Sequence, residues 1–275
     1  MKVDLHLHSN KSDGTLPPFK LIDRVAKSGI KFCAITDHDN VDGVEEGVKQ
    51  GRRRGVKVIR GVELSTFDED TEFHILGYGM ALDDKFREGL SRAVSMRNYR
   101  NTLIFEKLRE MGVEVYEHEL EKTKGVKGRF HIAKLMVKKG YASCINEAFD
   151  NWIGHNGKAY VKAERYTPQD AIRLIRESGG VAVLAHPSRF REEQNFSTKF
   201  RALVEAGLGG VEVYYPSHSV ADRQEYYNLT REYSLIATGG SDFHTDAGGN
   251  KIGQGEAELS LETIEFLKKL NDKKE

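Results

Sequence analysis

Lys2-Val3-Asp4-Leu5-His6-Leu7-His8 is an apolar run closed by two histidines, and its reading decides the rest of the chain. The run has strand character. In a strand the side-chain period of two turns residues 6 and 8 to one face, where a single cation could take both imidazoles. Working outward, the same arrangement returns in Phe32 to Thr36 ending at Asp37-His38-Asp39, in Ala182 to Ala185 ending at His186-Pro187, and in Ile236 to Gly240 ending at Ser241-Asp242-Phe243-His244. Asp13 follows the first run after a short polar stretch. Four strand ends therefore offer candidate ligands.

Between these runs the chain alternates. Val3 to His8 precedes a helical pattern from Pro18 to Ser28; Phe32 to Thr36 precedes another from Val41 to Arg54, and strand Val56 to Leu64 follows. This βα alternation implies parallel strands covered by helices. Glu72 to Tyr78 reads as a hairpin-like strand. From about residue 83 to 165 the pattern changes to charged helical stretches, Asp84 to Met111, Phe130 to Lys139 and Ile145 to Asn151, without a buried parallel strand between them. The alternation then resumes with helix 168–178, strand 181–185, helix 198–206, strand 210–214, helix 220–233, strand 235–238 and a last helix 261–271. The expectation is an α/β barrel formed by residues 1–82 and 166–275, with residues 83–165 as an inserted helical subdomain. In such folds ligands gather at the carboxyl ends of the strands. His6, His8, His38, Glu63, His186, Asp242 and His244 obey that rule.

Composition excludes little but points one way. Lys plus Arg and Asp plus Glu each count 42 in 275 residues, so no overall field recruits nucleic acid or an anionic membrane. The two cysteines, Cys33 and Cys144, form neither a disulfide framework nor a thiolate zinc site. No apolar run approaches the ~20 residues of a membrane span, and a ligand-bearing strand begins by residue 3. These features lead to the expectation of a cytoplasmic protein with no membrane partner; the oligomeric state is left open.

A single histidine is usually a satisfied or solvated imidazole, but three ligand patterns at successive strand ends read as a metal site. Imidazole and carboxylate without thiolate suit Mn, Fe or Zn with positions open to water and substrate, and the number of candidates suggests two or three divalent ions. Hydrolysis of a phosphate ester by metal-activated water is the leading chemistry. No Gly-rich phosphate loop, Asp-x-Asp-x-Thr motif or nucleophile elbow offers a covalent route. Asp37 and Asp39 would point away from His38 in an extended chain, so a supporting or capping role suits them better than ligation.

On these motifs the chain resembles the PHP (polymerase and histidinol phosphatase) superfamily. His6-x-His8, Asp13, Thr36-Asp37-His38-Asp39, Gly61-x-Glu63, His74, Ala185-His186-Pro187 and Gly240-Ser241-Asp242-x-His244 stand in the order in which that family carries its ligands. The resemblance implies a distorted seven-stranded β/α barrel, TIM-like, with a trinuclear site. It implies one ion on His6, His8, Glu63 and Asp242, a second on Glu63, His74 and His186, and a third on Asp13, His38 and His244. Gly128-Arg129-Phe130-His131-Ile132-Ala133 and Gly157-Lys158-Ala159-Tyr160-Val161 resemble the branch that dephosphorylates nucleotides, including nucleoside 3',5'-bisphosphates, or trims short RNA from its 5' end; Phe130 replaces that branch's proline.

The substrate-binding candidates are Arg129, Lys158 and His218, with Arg129 and His218 also placed in the catalytic step. A guanidinium fork at Arg129 suits a phosphate. His218, beyond the run Val211-Glu212-Val213-Tyr214, is equally a solvated loop histidine on spacing alone, and the resemblance favours function. His118, His131 and His155 read as structural or surface residues, and Tyr160, Trp152 and Phe243 as core aromatics that could otherwise stack a base. One alternative within the same chemistry is a histidinol-phosphate phosphatase. Another, of a different class, is a non-catalytic PHP module that binds a partner, which the full set of nine ligand positions argues against.

Overall fold

The computed structural model describes residues 2–68, 71–120, 127–162, 166–190, 195–255 and 261–272. Seven strands form one sheet in chain order: β1 (Val3–Asp4), β2 (Phe32–Ile35), β3 (Lys57–Asp68), β4 (Thr71–Tyr78), β5 (Val181–Leu184), β6 (Gly210–Tyr214) and β7 (Ile236–Gly239). β4 runs antiparallel to both β3 and β5, and the other pairings are parallel. Beyond the last ladder the chain after β7 returns to the chain after β1. Leu5 N donates to Gly239 O at 3.1 Å, Asp242 N to His6 O at 2.9 Å, and His8 N to Phe243 O at 3.0 Å. These bonds nearly close the sheet into the α/β barrel expected from the βα alternation.

The helices follow from local sequence. α1 (Pro18–Lys27) opens with proline at its first position, where a missing N–H costs nothing, and buries Leu21, Ile22 and Val25. α2 (Val44–Arg54) stops at Gly55, whose φ of 68° is the left-handed conformation that glycine supplies cheaply. Its last turn carries Arg52, Arg53 and Arg54 against the negative end of the helix dipole, which accounts for that basic cluster. Alternate residues of β1 to β5, among them Val3, Phe32, Ala34, Ile59, Leu76, Tyr78 and Val183, form one apolar cluster, the barrel interior. α9 (Leu261–Asp272) adds Ile264 and Leu267 to it. Val3 and Phe32 begin their strands, so this helix plugs the amino-terminal end of the barrel and leaves the carboxyl end for chemistry.

Between β4 and β5 lie α3 (Asp84–Glu110), α4 (Arg129–Lys138), α5 (Ile145–Ala148) and α6 (Pro168–Glu177); α7 (Phe196–Glu205) and α8 (Val220–Glu232) follow β5 and β6. Ile104, Phe105, Leu108, Ile132, Met136 and Ile153 belong to a second apolar cluster made wholly of residues between 104 and 159. The expected helix 145–151 is a single α-turn followed by a wider one, Phe149–Ile153. The expected domain boundary at residue 165 lies outside the described residues. β3 runs four residues past its expected end at Leu64, because residues 65–68 pair with 71–74 in a hairpin that rises above the barrel rim. Among the described residues no helix is long and apolar enough to cross a membrane.

Candidate metal centre

The strand ends converge on Glu63. This buried carboxylate, in β3, has Oε1 at 2.8 Å from His74 Nδ1 and 3.2 Å from His186 Nε2, while Oε2 lies 3.1 Å from both His6 Nε2 and His8 Nε2 and 3.3 Å from His38 Nδ1. Five imidazoles thus gather on the two oxygens of one carboxylate. His74 lies within a strand rather than after one. β4 is antiparallel, so its amino-terminal half reaches the rim that its neighbours reach with their carboxyl ends.

Two further carboxylates complete the cluster. Asp242 Oδ1 lies 3.2 Å from His8 Nε2 and 3.4 Å from His6 Nε2. Asp13 Oδ1 lies 3.2 Å from His244 Nε2, and its Oδ2 lies 3.7 Å from His38 Nε2. By mutual distance the donors fall into three groups: His6, His8, Glu63 and Asp242; His8, Asp13, His38 and His244; and His38, Glu63 and His74. The first is the set expected from sequence. The second adds His8 to the expected three, and in the third His38 stands where His186 was expected, His186 remaining on Glu63 Oε1.

The backbone is bent to achieve this. Asp39, His186 and Asp242 have φ values of 46°, 28° and 52°, a region that non-glycine residues enter at a cost of ~1–3 kcal/mol each and that clusters at functional sites. Gly240 lets two of the arms approach: a Cβ there would lie 2.5 Å from His6 N.

Several supporting groups escaped the sequence reading. Glu212, buried in β6, accepts from His6 Nδ1 at 3.0 Å and from His186 N at 2.8 Å. A proton held on Nδ1 there turns the His6 Nε2 lone pair toward the cluster. A carboxylate inside the apolar run Gly210 to Tyr214 was the available signal. Tyr215 Oη and Arg189 Nη2 donate to Asp242 Oδ2 at 2.9 and 3.0 Å, which leaves Oδ1 facing the imidazoles. Asp37 accepts from Ser9 N, Ser9 Oγ and Ser12 Oγ at 2.7, 2.6 and 2.8 Å and so fixes the loop that carries Asp13. Asp39 accepts from Ser65 N at 3.0 Å and pairs with Arg97, which α3 brings to the pocket edge. These contacts fit the supporting role expected for Asp37 and Asp39.

The electrostatics are those of a cation site. Burial opposes ionisation of Glu63, yet His38, His6, His74 and His186 hold its carboxyl well below the usual range. Burial also opposes a charge on His8 and His74. Contacts with Asp242 and Glu63 outweigh it at His8, pushing that imidazole up to about 10, and the Glu63 charge outweighs it at His74, pushing that one up to about 9. Burial, aided by the neighbouring His8 and His74, lowers His38 to about 3, and burial with Arg189 holds His186 down, so both stay neutral. Nε2 of His8, buried between Glu63 and Asp242, makes no well-aligned hydrogen bond among the described residues. An imidazole and carboxylate donor set with such a spare nitrogen fits divalent metal.

Above the cluster opens a cavity of about 280 Å³, lined in part by Arg97, Arg129, His131, Phe149 and Arg189. Arg129 begins α4, pairs with Glu72 of β4 and lies 5.6 Å from the Phe149 ring centroid. His131, read from sequence as structural or surface, is on this wall. Lys158 and His218 are not on the cavity lining. Lys158 is exposed, with its ammonium 5.3 Å from the Trp152 ring. His218 is buried, bonded through Nδ1 to Val213 O at 2.8 Å and packed against Tyr215 and Tyr226. The chain turns back at Tyr215, where His218 N meets Tyr215 O, and carries the imidazole away from the rim.

Comparison with known proteins accords with this geometry. The PHP domain pattern matches residues 4–235. A 5'-3' exoribonuclease of Haemophilus influenzae is 32% identical over 256 residues, covering 92% of this chain and 93% of its own. A phosphoribosyl 1,2-cyclic phosphate 1,2-diphosphodiesterase of Eggerthella lenta is 32% identical over 251 residues, 89% of this chain and 94% of its own. A 3',5'-nucleoside bisphosphate phosphatase of Chromobacterium violaceum is 30% identical over 272 residues, 92% and 91%. A crystal structure from Bifidobacterium adolescentis, described provisionally as a metal-dependent phosphoesterase, superposes with a TM-score of 0.85 at 25% identity over 98% of this chain and 96% of its own. The chain belongs to the PHP domain family, and it is a metal-dependent hydrolase of phosphate esters.

Proposed function

We propose that this protein hydrolyses phosphate monoesters of nucleotides, a mononucleotide or a nucleoside 3',5'-bisphosphate, and the 5' ends of short RNA, using two or three divalent ions of Mn, Fe or Zn. The observation that carries the reading is Glu63, whose two oxygens serve five imidazoles and can therefore join neighbouring ions. In this reading His6, His8, Asp13, His38, Glu63, His74, His186, Asp242 and His244 are the ligands. Ions bound there would supply a water of lowered pKa and neutralise phosphoryl oxygens.

The chain's own residues do the rest. Arg129 orients a phosphate by a bidentate contact, exchanging its bond to Glu72 for one to the ester oxygens. Arg189 and Tyr215 hold Asp242 by Oδ2 so that Oδ1 is presented to the site. Glu212 keeps His6 in the tautomer with a free Nε2. Residues 83–165 act as an inserted helical subdomain that lays Arg97, Arg129 and His131 over the open end of the barrel. A nucleotide is favoured over histidinol phosphate because two of the relatives named above are an exoribonuclease and a nucleoside bisphosphate phosphatase, and because guanidinium groups gather beside the cluster. The test is a phosphate-release screen with Mn, Fe and Zn over AMP, adenosine 3',5'-bisphosphate, a 5'-phosphorylated RNA oligomer and histidinol phosphate. Turnover of histidinol phosphate in preference to every nucleotide would overturn the substrate assignment.

A further inference from the structure

A second cavity, of about 420 Å³, adjoins the metal cavity and shares Glu72, His74, Arg129, His186 and Arg189 with it. Its other walls differ in character. They are Phe67 from the raised part of β3, Phe190, Thr71, and His155 and Tyr160 from the helical region. Glu72, the one carboxylate among the described lining residues, is paired with Arg129. A ligand entering this chamber therefore meets aromatic faces and hydroxyls, with two guanidinium groups and the metal cluster at its inner end.

We propose that this outer chamber is a nucleoside subsite: it takes the base and ribose of the substrate while the scissile phosphate lies at the shared wall. The inference rests on the nucleotide reading above and deepens it. The chamber's volume is in the roughly 300–1,000 Å³ range of small-ligand pockets, enough to enclose one nucleoside rather than a run of them. Bases bind such walls by stacking on aromatic rings and by contact with guanidinium planes, without regard to net charge. His155 is exposed and its ring meets Tyr160 edge-on at 5.0 Å, so it can turn onto an incoming base without breaking the core. The aromatic residues of the inner cavity are less suited. Arg129 already covers Phe149.

The experiment compares kcat/KM on AMP with kcat/KM on ribose 5-phosphate, which lacks the base, in the full-length Mn-loaded protein. The wild type should prefer AMP, and Phe67→Ala and His155→Ala should each reduce that preference about tenfold, the effect of removing one stacking partner. Phe67→Leu, which keeps bulk but has no ring, should show the same loss and guards against a folding defect in Phe67→Ala. An unaltered preference in His155→Ala and Phe67→Leu, or a loss carried by Phe130→Ala instead, overturns the proposal. If neither ester is hydrolysed, the nucleotide-hydrolysis reading fails, and calorimetric binding of AMP still decides the chamber. A tenfold weaker affinity in the Phe67 and His155 variants supports it, and equal affinity overturns it.

Discussion

Replacing Arg129 by alanine should remove phosphate orientation without touching the residues proposed to hold metal. The side chain is 15% exposed, stands at the first turn of α4, and reaches across to Glu72 on the wall shared by the two cavities. A hydrogen bond to a charged group contributes ~1.5–3 kcal/mol, which converts to a roughly 10- to 150-fold loss in kcat/KM. The upper part of that range is expected, because the variant also deletes one of the cations that balance Glu72. That carboxylate would then repel the incoming phosphate. Two companion variants separate the contributions: Arg129→Lys should restore part of the activity, since a point charge replaces the fork, and Arg129→Ala with Glu72→Gln should be more active than Arg129→Ala alone. Steady-state kinetics on AMP and adenosine 3',5'-bisphosphate, with metal analysis of each variant, make the measurement. Unaltered kinetics on both substrates, or a loss that tracks metal content, would show that Arg129 does not orient the phosphate.

Three other outcomes follow from the same geometry. Tyr215→Phe removes the 2.9 Å bond to Asp242 Oδ2 and should weaken Mn affinity ~10-fold or more, measurable by calorimetry, while the fold is retained. Gly240→Ala forces a Cβ to within 2.3 Å of the His6 Cβ, and overpacking of ~1–3 kcal/mol should appear as a lower Tm together with reduced metal content. His8 and His74, raised to about 10 and about 9, carry protons at neutral pH in metal-free protein. Ligation needs them neutral, so metal binding should release protons and its apparent affinity should fall as pH drops, an effect read from calorimetry in buffers of different ionisation enthalpy.

How much of this was legible in the sequence depends on what each residue's position requires. Strand ends were readable because an apolar run marks a buried strand and a polar ligand at its end marks the rim, which brought His6, His8, His38, His186, Asp242 and His244 forward together. Glu63 lies five residues before the end of β3, at the barrel rim rather than at the strand's end, because the strand continues into the hairpin. The same rule brought His218 forward, and there the loop decides: one turn at Tyr215 sends the imidazole into the core. Arg97 and Arg189 were invisible because nothing local distinguishes a surface arginine from one that α3 or the turn Pro187–Phe190 carries to a cavity. Glu212 was missed although a carboxylate in an otherwise apolar strand must find partners when buried. Strand β1 ends its ladder at Asp4, whose carboxylate accepts from Ser241 N and Gly253 N; the expected run to His8 is instead held by three hydrogen bonds to the β7 side and by Thr36 N to Leu7 O on the β2 side.

The reading proposed above has phosphate esters hydrolysed at a site where Glu63 joins more than one ion. Phosphate release from AMP and from adenosine 3',5'-bisphosphate should be followed as Mn is titrated into chelator-stripped protein, with bound metal counted at each point. Expected are no turnover in the stripped protein, activity that rises only as a second equivalent binds, and no recovery in Glu63→Gln at any metal concentration. Full activity in the stripped protein, at a single equivalent, or in a folded Glu63→Gln variant would contradict it.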